Sequence, residues 1–162
     1  MTPQPLSALR KYLEMSEMEN ATVMTMDTGL FMEGVEEFLH EGKEVKMVPK
    51  GNSMLPFIKG GRDSVVLTSC DRPLEVGDIV LAKVGERYVM HRLFAVEGDK
   101  LTLMGDGNIA GKERCTRADV LALVKEIHKE NGKVRIPGKA RFWRWLRPVR
   151  RYILAFYKLV IL

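Results

Sequence analysis

The middle of this chain consists of short apolar or alternating segments separated by turn signals, and this pattern constrains the fold most. The segments lie between residues 45 and 137 and are bounded by Gly-Asp, Gly-Glu, Glu-Gly-Asp and Asn-Gly pairs. Short runs of this kind between glycine-containing turns are typical of strands. The predicted strands cover residues 45–48, 64–67, 79–84, 88–96, 101–104 and 120–127, with a hairpin over 125–136. We therefore expect a compact, mainly antiparallel β domain, either a barrel or a folded-over sheet.

Helical periodicity appears on both sides of this β region. Apolar residues recur at helical spacing over residues 5–19 and 29–40, and Gly42 is a stop signal for the second helix. Residues 138–162 place basic and apolar side chains on opposite helical faces, and Pro148 is expected to kink or interrupt that helix. The chain thus divides into an N-terminal helical segment (1–44), a β domain (45–137) and a basic amphipathic C-terminal helix (138–162).

Composition narrows the class of protein. The apolar share of 46% with 29% charged residues is that of a globular chain. The formal charge of +5 is polarised, because basic residues concentrate after Pro137 and acidic ones between residues 16 and 44. Cys70 and Cys115 lack any metal-ligand spacing, and two free thiols are the prediction, with a single bridge between them as the alternative. The N-terminus lacks the apolar core of a signal peptide and no apolar run of ~20 residues occurs, so we expect a cytoplasmic protein or one at the inner-membrane surface.

A glycine-flanked serine is the first candidate for chemistry. Gly51-Asn52-Ser53-Met54 places a small hydroxyl residue in a turn, and Pro56 limits any helix that follows. Such a turn exposes the hydroxyl and leaves backbone N–H groups free to bind a developing oxyanion. Glycine-serine turns are common, so the order of the segments that follow is what adds specificity.

That order resembles the superfamily of type I signal peptidases and self-cleaving SOS-type repressors. Ser53 and Met54 match its nucleophile box, residues 77–80 match a Gly-Asp-plus-strand element, and His91 stands immediately before Arg92 and an apolar residue, as its base does. A histidine at the base position is similar to the archaeal and endoplasmic-reticulum signal peptidases. The resemblance covers residues 48–124, and it implies that superfamily's compact β catalytic core.

The resemblance implies roles for particular residues. Ser53 would be the nucleophile, His91 its base, and Asp106, in the turn formed by residues 105–108, the group that orients the histidine ring. Oxyanion or substrate binding would fall to Gly51, Asn52, Met54 and Arg92.

The sequence departs from the family pattern at two places. Gly51 stands where many signal peptidases carry Ser or Thr, so backbone N–H groups would have to stabilise the oxyanion. The stretch where the histidine-type enzymes often carry a second Asp reads Ile-Ala-Gly-Lys-Glu, with Glu113 its only acid. Met54, Leu55, Phe57 and Ile58 either line a substrate cleft or belong to the core.

The expected function is a serine endopeptidase of the signal-peptidase type, which removes a leader or signal segment from another polypeptide. A Ser-His or Ser-His-Asp acyl-enzyme mechanism needs neither cofactor nor metal. Two alternatives remain open. A self-cleaving regulator fits less well, because the first 44 residues are short for a DNA-binding domain and no Ala-Gly or Cys-Gly pair precedes Ser53. A non-catalytic interaction module that kept the fold is the other.

The C-terminal segment has its own candidate partners. Residues 141–162 suit a membrane surface, with arginines at lipid headgroups and Trp143, Trp145 and Tyr152 at the boundary. A partner protein is the alternative. Nucleic acid is not expected, because the end of the chain is too apolar for a solvated contact with DNA.

Overall fold

The structure is a computed structural model that describes residues 28–161, without the side chains of Thr28, Leu30 and Ile161. The helix expected over residues 5–19 lies outside the described residues. The second expected helix agrees within one residue with helix α1, Thr28–His40, which buries Met32, Val35 and Phe38. Gly42, with φ +74°, ends it by donating its N–H to Leu39.

Eight strands form one antiparallel sheet that curls into a half-barrel. Their order across the sheet is β1-β2-β7-β3-β4-β5-β6, and β8 pairs with the C-terminal end of β7. β6 also lies close to β3, so the sheet partly closes on itself. The strands are β1 Val45–Met47, β2 Ser64–Thr68, β3 Ile79–Val84, β4 Arg87–Glu97, β5 Lys100–Met104, β6 Glu113–Thr116, β7 Val120–His128 and β8 Val134–Arg135.

The central strand β3 is buried on both faces of the sheet. Ile79 and Leu81 pack toward α1, whereas Val80 and Ala82 pack among leucines inside the curl. Successive side chains of a strand alternate between faces, so a strand covered on both sides reads as the continuous apolar run seen here. Full burial of each large side chain contributes roughly 1.5–3 kcal/mol.

The predicted mainly antiparallel architecture is confirmed, with one strand missing from the prediction. β6 alternates between half-buried and exposed residues and carries Glu113 and Arg114, so it lacks the apolar pattern that revealed the others. The predicted hairpin is the β7–β8 pair, and Lys129 donates its backbone N–H to Lys133 across the turn.

The C-terminal segment forms two helices, so Pro148 interrupts the expected helix rather than kinking it. Helix α2 covers Arg141–Trp145 and helix α3 covers Arg150–Ile161. Pro148 lies between them, where its missing N–H and its ring end helical hydrogen bonding. Trp143 was expected at a membrane boundary, but it is buried with Leu55 and Leu154 beneath the two helices. Within residues 28–161, no helix is both long enough and apolar enough to cross a bilayer.

Candidate active site

Ser53 lies on a loop between β1 and β2 whose ends are tied together. Gly61 donates its N–H to Pro49 at 2.8 Å, which closes the base of the loop. Gly51 has φ +82°, a conformation that favours glycine. The backbone of Gly60 packs so closely on Gly51 that an added Cβ would lie 1.8 Å from the Gly51 carbonyl oxygen. These glycines therefore fix the path of the chain into Ser53.

The residues after Ser53 form helix-like turns. Met54 accepts hydrogen bonds from the N–H groups of Phe57 and Ile58, both at 3.0 Å. Among the described residues, the N–H groups of Ser53 and Met54 donate to no protein acceptor. Their position at the start of a turn of this kind suits them to bind an anion.

A second loop, the turn of residues 105–108, supports the backbone of Ser53 from below. Gly107 donates its N–H to the Ser53 carbonyl at 2.7 Å. A Cβ added to Gly105 would lie 2.4 Å from the carbonyl oxygen of Ser53, and a Cβ added to Gly107 would lie 2.6 Å from the carbonyl oxygen of Asn52. Both glycines are thus required for the close approach of the two loops.

His91 and Glu113 form a hydrogen-bonded pair that lines the same cavity as Ser53. His91 lies on β4 and is 5% exposed, and Glu113 begins β6. The Nδ1 atom of His91 and the Oε2 atom of Glu113 make a short hydrogen bond. A carboxylate at Nδ1 selects the neutral tautomer that carries its proton there, which leaves the lone pair of Nε2 free to accept. The other oxygen of Glu113 is 3.8 Å from Nη2 of Arg87.

Ser53, His91 and Glu113 line one cavity of about 350 Å³. Its floor includes the apolar side chains of Met54 and Ile58. Within the described part of the chain, no hydrogen bond joins Ser53 Oγ to His91. Catalytic hydrogen bonds are often long in an empty site and tighten when substrate binds. One cavity is thus lined by the residues that carry a hydroxyl, an imidazole held by a carboxylate, and two backbone N–H groups without a protein acceptor among the described residues.

Two unpaired strand edges border this cavity. β4 pairs with β5 only from Arg92 onward, so in the described structure residues 87–91 have no strand on that side. β1 pairs with β2 alone among the described strands, and its continuation through Pro49, Lys50 and Gly51 also lines the cavity. Unpaired backbone N–H and C=O groups can accept an extended polypeptide as an added strand.

The prediction that Asp106 orients His91 was wrong. Both carboxylate oxygens of Asp106 accept hydrogen bonds from Arg92, at 2.7–3.0 Å, and the pair is buried. Neighbouring residues of a strand point to opposite faces, so Asp106, which is bound to Arg92, lies on the side of β4 opposite to His91. Glu113 takes the orienting position, and the sequence signal for it was the lone acid in the place of the family's second Asp.

The prediction that Arg92 binds substrate or the oxyanion was also wrong. Its Nη1 atom donates to the carbonyls of Gly77 and Gly138, and its Nε and Nη2 atoms donate to Asp106, so all three guanidinium nitrogens have acceptors inside the protein. Gly51 and Met54 do line the cavity, whereas Asn52 is exposed and lies outside the described lining. Of the possible cleft residues, Ile58 lines the cavity, but Leu55 and Phe57 pack beneath α2 and α3.

Two further carboxylates brace the loops around the site. Burial alone would raise the pKa of Asp63, but hydrogen bonds from Lys129 and two backbone N–H groups outweigh it and lower that pKa. Burial opposes ionisation of Asp78 too, yet hydrogen bonds from Arg72 and Lys139 lower its pKa to about 2. Both residues act on structure, as ionised anchors of the loop before β2 and of the loop before β3.

Within residues 28–161, no group of three or more His, Cys, Asp or Glu side chains is placed to hold a metal ion. Cys70 and Cys115 are free thiols, and burial raises the pKa of each. A scan against protein-family models found no match to this chain, and a search of curated proteins found none either.

Proposed function

We propose that the protein is a serine endopeptidase in which Ser53 is the nucleophile, His91 the general base and Glu113 the residue that orients His91. The observation that carries this proposal is the meeting of the three side chains in one cavity, with Glu113 on Nδ1 of the histidine. A hydroxyl, an imidazole and an orienting carboxylate from separate segments are the parts of a catalytic triad, which is recognised by geometry.

The chemistry follows from these positions. Ser53 Oγ attacks the scissile carbonyl carbon while Nε2 of His91 takes its proton, and the N–H groups of Ser53 and Met54 stabilise the oxyanion. Collapse of the tetrahedral intermediate breaks the C–N bond, and His91 returns the proton to the leaving amine. Water, deprotonated by His91, then hydrolyses the acyl-enzyme and restores the Ser53 hydroxyl.

The cavity walls favour an extended polypeptide as substrate. A peptide laid between the open edge of residues 87–91 and the segment 49–51 would bond to backbone on both sides and present one carbonyl to Ser53. Together with the resemblance of residues 48–124 to signal peptidases, this favours cleavage of a leader or signal segment of another chain.

The test is cleavage of a peptide mixture, read by mass spectrometry, with the wild-type protein and with Ser53→Ala. We expect Ser53→Ala to lower the rate at least about a thousandfold, because the nucleophile is lost. Ser69→Ala is the control, since in the described structure the hydroxyl of this serine donates to Asp71, in a loop outside the cavity lining, and its loss should leave the rate unchanged.

Three outcomes would contradict the proposal. Full activity of Ser53→Ala would exclude Ser53 as nucleophile. Cleavage confined to the protein's own chain would indicate a self-cleaving regulator. A folded wild-type protein that binds peptides in the cavity but cleaves none would indicate an interaction module.

A further inference from the structure

The outer surface of the C-terminal helices exposes large apolar side chains. Trp145 is 74% and Phe156 67% exposed, and Phe142 stacks on Trp145 with ring centroids 5.8 Å apart. On α3, Ile153, Phe156 and Val160 are exposed and recur every three or four positions, so they lie on one side of the helix, together with the exposed Tyr152 and Leu159. We call this surface the outer apolar face; it comprises Phe142, Trp145, Val149, Ile153, Phe156 and Val160.

Basic side chains without acidic partners lie in the same C-terminal segment. Residues 138–162 contain no Asp or Glu. Within the described residues, none of the following five side chains forms an ion pair with a carboxylate: Arg141, Arg144, Arg147, Arg151 and Lys158. By contrast, Lys139 at the start of the segment pairs with both Glu75 and Asp78.

The cations also converge on one point of the sheet. Nζ of Lys112 lies 3.9 Å from the ring centroid of Phe94, and the guanidinium carbons of Arg144 and Arg147 lie 5.0 and 5.6 Å from it. Three like charges around one ring repel each other unless an anion joins them. The surface therefore combines an apolar stripe with an unneutralised cationic cluster.

We propose that the outer apolar face, with its flanking cations, binds the surface of an anionic phospholipid bilayer. A bilayer interface accepts apolar side chains below the headgroups and basic side chains among the phosphates at the same time. A second copy of the chain would bring the same cations against one another. Nucleic acid would neutralise the cations but leave the apolar stripe in water.

The opposite side of the same helices holds the nucleophile loop. Leu154 of α3 and Trp143 of α2 pack on Leu55, two residues after Ser53, and the indole N–H of Trp143 donates to the Asp106 carbonyl. When the protein is bound through its outer apolar face, the loop of Ser53 thus lies on the side of α2 and α3 that faces away from the bilayer. Lipid binding itself does not depend on the proposed peptidase activity.

The experiment is co-sedimentation of the full chain with vesicles. One set contains phosphatidylcholine and phosphatidylglycerol in equal parts, and the other contains phosphatidylcholine alone. We expect binding to the first set, weakened by salt, and a blue shift of tryptophan emission that Trp145→Phe removes, because Trp143 is already buried. Brominated lipids should quench the same residue.

Two variants separate the apolar and the electrostatic contributions. Phe156→Glu should weaken binding at least about tenfold, because it places a charge where an aromatic ring enters the interface. Its control is Val134→Glu, which adds the same charge at an exposed valine of β8 and should have little effect. The double variant Arg144→Gln/Arg147→Gln should weaken binding to the anionic vesicles about thirtyfold.

Other results would overturn the proposal. These are absence of binding to the anionic vesicles, equal binding to both vesicle sets, or unchanged binding by Phe156→Glu. Light scattering that shows a dimer broken by Phe156→Glu, without vesicle binding, would assign the face to a second copy. Ser53→Ala should bind vesicles as the wild type does, so loss of lipid binding and loss of peptidase activity are distinguishable.

Discussion

His91 and Arg92 are neighbours on β4, yet they serve opposite sides of the sheet. His91 faces the cavity and bonds to Glu113, an acid on a half-exposed edge strand. Arg92 faces the other side of the sheet and bonds to Asp106, which is almost completely buried. Each basic side chain has one carboxylate, but only the first pair lines the cavity that Ser53 also lines. The face of the strand therefore decides which pair is available for chemistry.

The buried Arg92–Asp106 pair has a structural role. Through Arg92 it joins the loop before β3 at Gly77, the turn at Asp106 and the C-terminal segment at Gly138. Its polar atoms are satisfied inside the protein, as buried charges require. The turn that contains Asp106 also supports the backbone of Ser53. The Arg92–Asp106 pair therefore affects the site indirectly, because it holds this turn in place.

Replacing Asp106 should have the largest effect on stability. Asp106→Asn leaves the Arg92 charge buried without a counterion, which costs about 3–5 kcal/mol of unfolding free energy. Urea unfolding measures this loss. The double variant Arg92→Met/Asp106→Leu removes both charges and should recover much of it. Unchanged stability of Asp106→Asn would contradict the structural role of the pair.

Replacing Glu113 should instead affect catalysis. Glu113→Gln keeps the shape of the side chain but loses the carboxylate that selects the His91 tautomer, so we expect a fall of about a hundredfold or more in kcat. Stability should change little, because Glu113 is partly exposed. The matched control is Glu126→Gln, which removes a carboxylate that contacts His128 outside the cavity. Equal rates for Glu113→Gln and wild type would exclude the orienting role.

Acid should weaken the contacts that Asp78 makes with Arg72 and with Lys139 of the C-terminal segment. The pKa of Asp78 is lowered from its ordinary 3.8 to about 2, so folding favours the ionised form. Its contribution of about 2 kcal/mol is present above the ordinary pKa and is lost as the pH falls toward about 2. Asp78→Asn should flatten this part of the stability–pH curve measured by urea unfolding. Asp99→Asn, at an exposed turn, should leave the curve as it is.

The two tryptophans of helix α2 allow a test with a smaller expected effect, because one packs beside Asp106 and the other is exposed. Trp143→Phe removes the N–H that donates to the Asp106 carbonyl at 2.9 Å and should cost about 1–2 kcal/mol. Trp145→Phe, at a 74% exposed position, should change stability by less than about 0.5 kcal/mol. Thermal unfolding compares them, and equal losses would contradict the packing of α2 against the site.

The sequence predicted the parts of this molecule that depend on local pattern. Helix α1 and the buried strands were predictable because their apolar residues recur with the period of the element. β6 was not, since Glu113 and Arg114 open it and its side chains are only partly buried. Trp143 was misplaced because the break at Pro148 separates two helices that face the core independently.

The error at Asp106 has a different cause. Spacing along the chain places Asp106 after His91 but does not say which face of β4 it meets, and a shift of one residue reverses the face. Ser53, His91 and the supporting turn could be proposed from motif order. The partner of His91 required the pairing of β4, β5 and β6, which brings Glu113 across the sheet.

The most direct test of this account is the tautomer and hydrogen bonding of His91, measured by two-bond ¹H–¹⁵N NMR of the imidazole rings. The chain has three histidines, so His91→Ala assigns the signals. We predict that neutral His91 carries its proton on Nδ1, that Glu113→Gln abolishes this pattern, and that Asp106→Asn leaves it unchanged in the folded protein. A proton on Nε2 of His91, or a pattern that responds to Asp106→Asn and not to Glu113→Gln, would contradict the account.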